Sequence, residues 1–396
     1  MEAYFDNAAT TKVFPEVKDL VVKLMEEDYG NPSSLHQKGL DAGHYIKETK
    51  EILAKEWKVD SKEIVLTSGG TESNNLALIG AALANKRSGN RIITSKVEHA
   101  SVSSTMAFLE SLGFEVVYLN VDHQGIVDLE QLEQEVNEDT ILVSVMYVNN
   151  EIGAVEPIQE IAEIIKEKNP KTLFHVDAIQ AFGKYHIYPK RMGIDLMSVS
   201  GHKIHGPKGT GALFIKNRTK VKPIIYGGGQ QDGMRSGTEN VPGFAGFGLA
   251  TKIVYEDLEA RIVRMRAVKD RLTERLKALP DVYINEGEAP HILSVSFVGV
   301  RSEVMLHALE ERQIYVSSGS ACSSNKPAVS HVLSSIGLQK NRLESTIRFS
   351  FSAENTVEQA DYAADVIEEI LPVYRKYVRK KSVSYTHLRA HETRHD

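Results

Sequence analysis

The sequence predicts an α/β fold in which a large unit with a mostly parallel sheet is joined to a smaller α+β unit. Two observations carry this. Helical and strand patterns alternate from about residue 15 to 255, as in sheets covered by helices on both faces. After about residue 242 the texture changes, and helices and strands follow in mixed order. The length of 396 residues suits two or three domains, or one large α/β domain with a smaller companion. The expected division is a large unit over 15–255, a small unit built from 1–14 and 256–381, and a tail over 382–396.

Along the chain, helices are expected over 15–28, 37–57 and 71–86. Between and after them lie short β-rich runs at 63–66, 91–94, 115–119, 141–146, 172–176, 196–199 and 212–215. A long helical pattern follows over 243–279 and stops at Pro280. The smaller unit then reads as a strand at 292–297, a helix from Ser302, strands at 314–316 and 346–351, and a final helix over 357–378. The tail, SVSYTHLRAHETRHD, has no apolar period and resembles translated adapter sequence, so it is read as disordered and non-native. It contains HETRH, a match to the zinc-protease pattern HExxH. No apolar helix carries that string and no third ligand follows, so no metal site is expected.

Composition narrows the function. Lys plus Arg total 47 and Asp plus Glu 53, a formal charge of −6, which gives no general attraction to nucleic acid or an anionic membrane. No apolar run approaches the length of a membrane span, and the N-terminus lacks the regions of a signal peptide, so a cytoplasmic protein is expected. The one cysteine, Cys322, excludes an internal disulfide. It sits in SSGSACSS, among small polar residues rather than apolar ones, a setting that suits a reactive thiol.

In open α/β sheets ligands bind beyond the carboxyl ends of the strands, so the residues after each β-rich run deserve inspection. SGHKIHGPKGTG places Lys203 just past one run, with glycines that let a ligand approach the backbone; a lysine there suits a Schiff base with an aldehyde such as pyridoxal phosphate. A Walker-type phosphate loop is absent. HVDAIQ puts Asp177 past another run, where a buried carboxylate needs a cationic partner such as a protonated pyridine nitrogen; a helix cap is the plainer reading. Gln180 is in reach of a ring oxygen. TSGGTESNN starts a helix whose free N–H groups at Gly70 and Thr71 suit a phosphate. In VEHAS, His99 suits ring stacking or proton transfer.

In this order, and together with YFDNAATT, GNPSSLH, VNNEIG, GGGQQDGMRSGTEN and IRFSF, these stretches resemble the cysteine desulfurases of the NifS/IscS type, within the class V aminotransferase-like, fold-type I pyridoxal phosphate enzymes. The resemblance runs from Tyr4 to Phe351. It implies pyridoxal 5′-phosphate on Lys203, Asp177 at the ring nitrogen, and Gln180 and Asn150 at the ring oxygen and the substrate. It implies His99 over the ring as acid/base, and Gly70, Thr71, Ser200 and His202 at the phosphate. Thr238 would reach the partner subunit's phosphate in a homodimer with shared sites. Arg348 would hold the substrate carboxylate, and Cys322 would accept sulfur from L-cysteine for onward transfer to an acceptor or scaffold protein serving iron–sulfur clusters or thiolated tRNA. A selenocysteine lyase, or another lyase or aminotransferase of the same class, is the alternative. Gly70 stands where many relatives carry Ala, a change expected to be neutral.

Overall fold

The structure is a computed structural model that describes residues 1–318 and 330–380. Its larger sheet has seven strands in the order Ile64–Thr67, Gly211–Ile215, Leu196–Ser200, Leu173–Asp177, Thr140–Met146, Arg91–Ser95, Glu115–Leu119. Gly211–Ile215 pairs antiparallel with both neighbours, and the remaining adjacent pairs are parallel. Six strands therefore end at one edge of the sheet. Alternate residues face opposite sides, and both sides are covered. Val143, Val145, Phe174, Val176, Met197 and Val199 pack into one apolar cluster. Val65, Ile92, Leu142, Leu196 and Leu213 pack into another. Strands buried on both faces are largely apolar, which is why they read as near-continuous runs; the polar exceptions Ser144, His175 and Ser198 hydrogen-bond to one another across the three central strands.

A second sheet is antiparallel, in the order Ser317–Ser318, Thr346–Ser350, Ile292–Phe297, Val282–Asn285. Helices Leu258–Lys277 and Val357–Lys380 lie over it, and Val268, Leu272, Leu276, Phe297, Phe349 and Ile367 share its core. Arg271 and Arg275 tie the two helices together through Asp361.

Three features go beyond the sequence expectation. The helical pattern over 243–279 is two helices, Val241–Glu256 and Leu258–Lys277, broken at Asp257 (φ −130°, ψ 30°). The first helix gives Phe247, Ala250 and Val254 to the large sheet's core, and the second gives its apolar face to the small sheet's core. Val282–Asn285 is an additional edge strand with exposed Tyr283. Residues 314–316 do not join the second sheet; Ile314–Tyr315 pairs in parallel with Ala3–Tyr4. The N-terminal segment thus starts in one core, with Ala3 and Phe5, and ends in the other, with Ala8 and Phe14.

Candidate active site

The aligned strand ends gather most of the candidate residues. Leu173–Asp177 ends on Asp177, and Leu196–Ser200 runs into a single 3-10 turn, Gly201–Lys203. Ile64–Thr67 leads to Gly69, whose φ of +146° suits glycine, and the 16-residue helix Gly70–Asn85 starts there. Its first N–H groups have no partner within the helix, so Gly70 and Thr71 present donors and the positive end of a dipole. Ser200 Oγ is buried beside them with no hydrogen-bond partner. These residues, with Thr10 and His202, line one cleft of about 400 Å³. His202 Nδ1 lies 3.2 Å from Thr10 Oγ1. Burial first, then the cations Lys203, Lys208 and Lys184, push the His202 pKa down to about 4. It therefore meets an anion as a neutral donor. Lys208 also lines the cleft and was not among the expected residues.

Asp177 is 3% exposed. Its Oδ1 accepts from Ile179 N at 3.0 Å and its Oδ2 from Asn74 Nδ2 at 2.8 Å. Burial raises its pKa, against those hydrogen bonds and the pull of His99 and Lys203. A cationic ligand atom beside it would keep the carboxylate charged. His99 caps the helix Ala100–Ser111: its Nδ1 accepts from Ser101 N at 3.1 Å and lies 2.9 Å from Ser101 Oγ. The neutral ring therefore carries its proton on Nε2. Enclosure by the protein, with Lys203 and His331, lowers its pKa, and Asp177 opposes this. Asn74 donates to Ser101 Oγ at 2.9 Å, linking Asp177 to His99. Neither Asn74 nor Ser101 stood out in the sequence as a site residue, although both lie within stretches that did.

Lys203 Nζ donates to the carbonyls of Ala8 and, at 2.8 Å, Ala9. Gln180 Nε2 reaches the same Ala8 oxygen at 3.0 Å. Arg348 donates to Asn150 O at 2.8 Å and pairs with Asp6 Oδ1 at 2.9 Å, while its Nε is buried without a partner. In VNNEIG the two asparagines differ. Asn149 is buried and builds the turn by accepting from Glu151 N and Ile152 N, whereas Asn150 meets Arg348 through its backbone. Thr238 is exposed and does not line the cleft. Cys322 lies outside the described residues, as does HETRH. Among the described residues there is no group of three or more potential metal ligands, and no helix is long and apolar enough to cross a membrane.

A Cβ on Gly70 would lie 2.1 Å from Ile179 Cδ1, the free end of a half-buried side chain, so an Ala there asks Ile179 to turn aside.

The sequence matches the model of the family "Aminotransferase class-V" over residues 3–362. The chain belongs to this family. Class-V aminotransferases and their cysteine desulfurase relatives use pyridoxal 5′-phosphate, and the site fits that group: a helix start beside the orphaned Ser200 hydroxyl for the phosphate, Asp177 for the ring nitrogen, Lys203 for the aldehyde. Among class-V relatives, the chain is 42% identical to a "Cysteine desulfurase IscS" of Dictyoglomus turgidum, covering 94% of this chain and 95% of that one. It is 40% identical to a "Cysteine desulfurase IscS" of Clostridium botulinum, covering 96% and 98%. A solved "NifS-like protein" superposes with a TM-score of 0.89 at 39% identity, covering 94% and 100%. Another, "SspA in complex with cysteine", gives 0.77 at 34% identity, covering 88% and 98%.

Proposed function

We propose that the protein is a pyridoxal 5′-phosphate-dependent L-cysteine desulfurase that releases L-alanine and leaves sulfur on Cys322 as a persulfide. The observation that carries this reading is the convergence of Asp177, Lys203, the Gly70–Thr71 helix start and Ser200 at one sheet edge, in a chain matched nearly end to end by cysteine desulfurases.

When bound, the cofactor supplies an electron sink for the carbanion at the substrate Cα. The chain's own groups do the rest. The amides of Gly70 and Thr71, Ser200 Oγ and His202 hold the phosphate. Asp177 keeps a proton on the ring nitrogen. Arg348, braced by Asp6 and the Asn150 carbonyl, offers its guanidinium to the substrate carboxylate. Lys203 Nζ removes the Cα proton, and His99 exchanges protons at Nε2 because its Nδ1 is occupied. The Cys322 thiolate attacks the substrate sulfur: an S–S bond forms, the C–S bond breaks, and the three-carbon fragment is protonated to alanine.

The remaining assignments are also part of this reading. The core around Phe174 and the core around Phe349 support a large cofactor-binding unit over 15–255 and a small unit over 256–381; of residues 1–14, assigned to the small unit, Ala3 and Phe5 join its core while Ala8 and Phe14 join the large one. Exposed Tyr29, Leu35, Leu40 and Tyr226 support a second copy as partner. Pro32 and Gly229 line one cleft, so these loops are neighbours. Thr238, exposed on the 227–240 segment, would then serve the partner's site. A working thiol suits a reducing cytoplasm. A protein acceptor or scaffold takes the sulfur onward.

The test is release of sulfide and alanine from L-cysteine with a thiol reductant, for wild type and Cys322→Ala. Equal yields from wild type, and loss in a variant that keeps its colour, support the reading. Equal activity in both proteins would move it to a lyase such as a selenocysteine lyase.

A further inference from the structure

Lys184 lies next to the site, apart from the cleft. It is 8% exposed, and its Nζ donates to the Lys203 carbonyl at 2.7 Å and approaches the Phe182 carbonyl at 3.5 Å. Its neighbour Gly183 has a φ of +72°, which favours glycine, and a Cβ on it would lie 2.6 Å from the Ile204 side chain at Cγ2, so glycine sets the turn that leads into Lys184. Lys184 lines a small cavity of about 20 Å³ with Lys203, His205, Arg261 and His291.

A buried lysine is normally matched by a carboxylate. Here the charges acting on it are those of Lys203 and Arg261, both positive, and Arg261 has its own partner in Glu354 at 3.2 Å. Three imidazoles, His202, His205 and His291, also feel its charge, and burial holds each of them well below the usual histidine range. On the opposite side Lys203 faces His99 and the carboxylate of Asp177. A methionine would fill the same volume without the cost of burying an amine. What a lysine adds is a donor to Lys203 O and a positive charge close behind Lys203.

We propose that Lys184 is a positioning residue for Lys203: its Nζ pins the Lys203 carbonyl, and its charge keeps the Lys203 nitrogen from holding a proton too tightly. The geometry gives the sign. A cation near a second basic nitrogen lowers the second group's proton affinity, so removing the cation raises it. Burial and the two cations bring the pKa of Lys184 itself down to about 7, so its charge is present on the acid side of neutrality and fades through the neutral range.

The inference rests on the cofactor being carried by Lys203, but not on the desulfurase reaction. The test is a pH titration of the visible absorption band of the holoenzyme, for wild type, K184M, K184R and K184Q, with visible circular dichroism read on the same samples. In K184M the midpoint should rise by about one pH unit, the order that one nearby charge produces, and the dichroic band should weaken. K184R keeps charge and donor and should restore both. K184Q is neutral but can still donate, so its midpoint should rise as in K184M; it stands in if K184M fails to fold. A midpoint that stays at the wild-type value in either neutral variant overturns the proposal. A wild-type protein with no visible band would overturn the cofactor assignment instead.

Discussion

Asn74 donates to Asp177 Oδ2 at 2.8 Å and to Ser101 Oγ at 2.9 Å, so one carboxamide ties the buried acid of the site to the residue that holds His99. Rotating the amide would point Asn74 Oδ1 at a carboxylate, so the donor arrangement is fixed by charge. Asn74→Ala should lower desulfurase turnover by about tenfold, the cost of a lost hydrogen bond to a charged group. Ser101→Ala should shift the pH profile through His99 while leaving cofactor content intact. Steady-state rates across pH and the visible spectrum check both. An unchanged profile in Ser101→Ala would remove the link to His99.

Arg348→Lys keeps the charge but loses the planar fork. It should raise KM for L-cysteine by about ten- to a hundredfold, with a smaller change in kcat. Asp6→Ala should raise KM less, because the Asn150 carbonyl still braces the guanidinium.

Gly70→Ala should cost less than about 1 kcal/mol, below the range for an overpacked rigid core, because Ile179 Cδ1 is the movable end of a half-buried side chain. Any cost should vanish in the double variant with Ile179→Ala. Thermal or denaturant unfolding of all four proteins of the cycle gives the coupling between the two sites.

Two buried carboxyl groups should make stability fall as pH rises through neutrality, against buried Lys184, whose lowered pKa acts with the opposite sign. Burial raises the pKa of Glu156 from an ordinary 4.5 to about 8; its Oε2 accepts from Val127 N while its Oε1 has no partner. Glu98 is raised to about 8 in the same way, although Ser95 and Met146 N donate to it. Between those values the native state holds protons that the unfolded chain has released. The associated stability is fully present below about pH 4.5 and is lost as pH rises through about 8. The slope is at most about 1.4 kcal/mol per pH unit for each group. Unfolding midpoints of wild type and Glu156→Gln between pH 6 and 9 check this, with the variant expected to show the flatter dependence.

Much of the site could be read from the sequence, for a physical reason. Asp177, Ser200, Lys203 and His99 follow β-rich runs within a few residues, and parallel strands bring those positions to one edge. What escaped lies elsewhere. Asn74 and Ser101 sit inside helices, where a polar residue usually faces solvent. Lys184 matters through its bond to the Lys203 carbonyl, a contact between a side chain and a distant backbone atom that no sequence pattern marks. The Ala8 carbonyl, shared by Lys203 and Gln180, is a backbone atom with no signature in the side-chain pattern. The break at Asp257 was hidden because apolar residues recur on both sides of it, although each side faces a different core.

The segment Ala3–Thr11 is bonded to residues that come far later in the chain: Asp6 to Arg348, 342 positions on, and Thr11 to His202. During synthesis Asp6 therefore waits for Arg348 to be made. At about 5–20 residues per second that interval is roughly 20–70 s. Until then the segment has partners at Gln180, His202 and Lys203 but none at Arg348. The nascent chain thus carries a timer: the guanidinium is braced only once Arg348 has been made, so a copy terminated before it should lack the substrate-carboxylate grip.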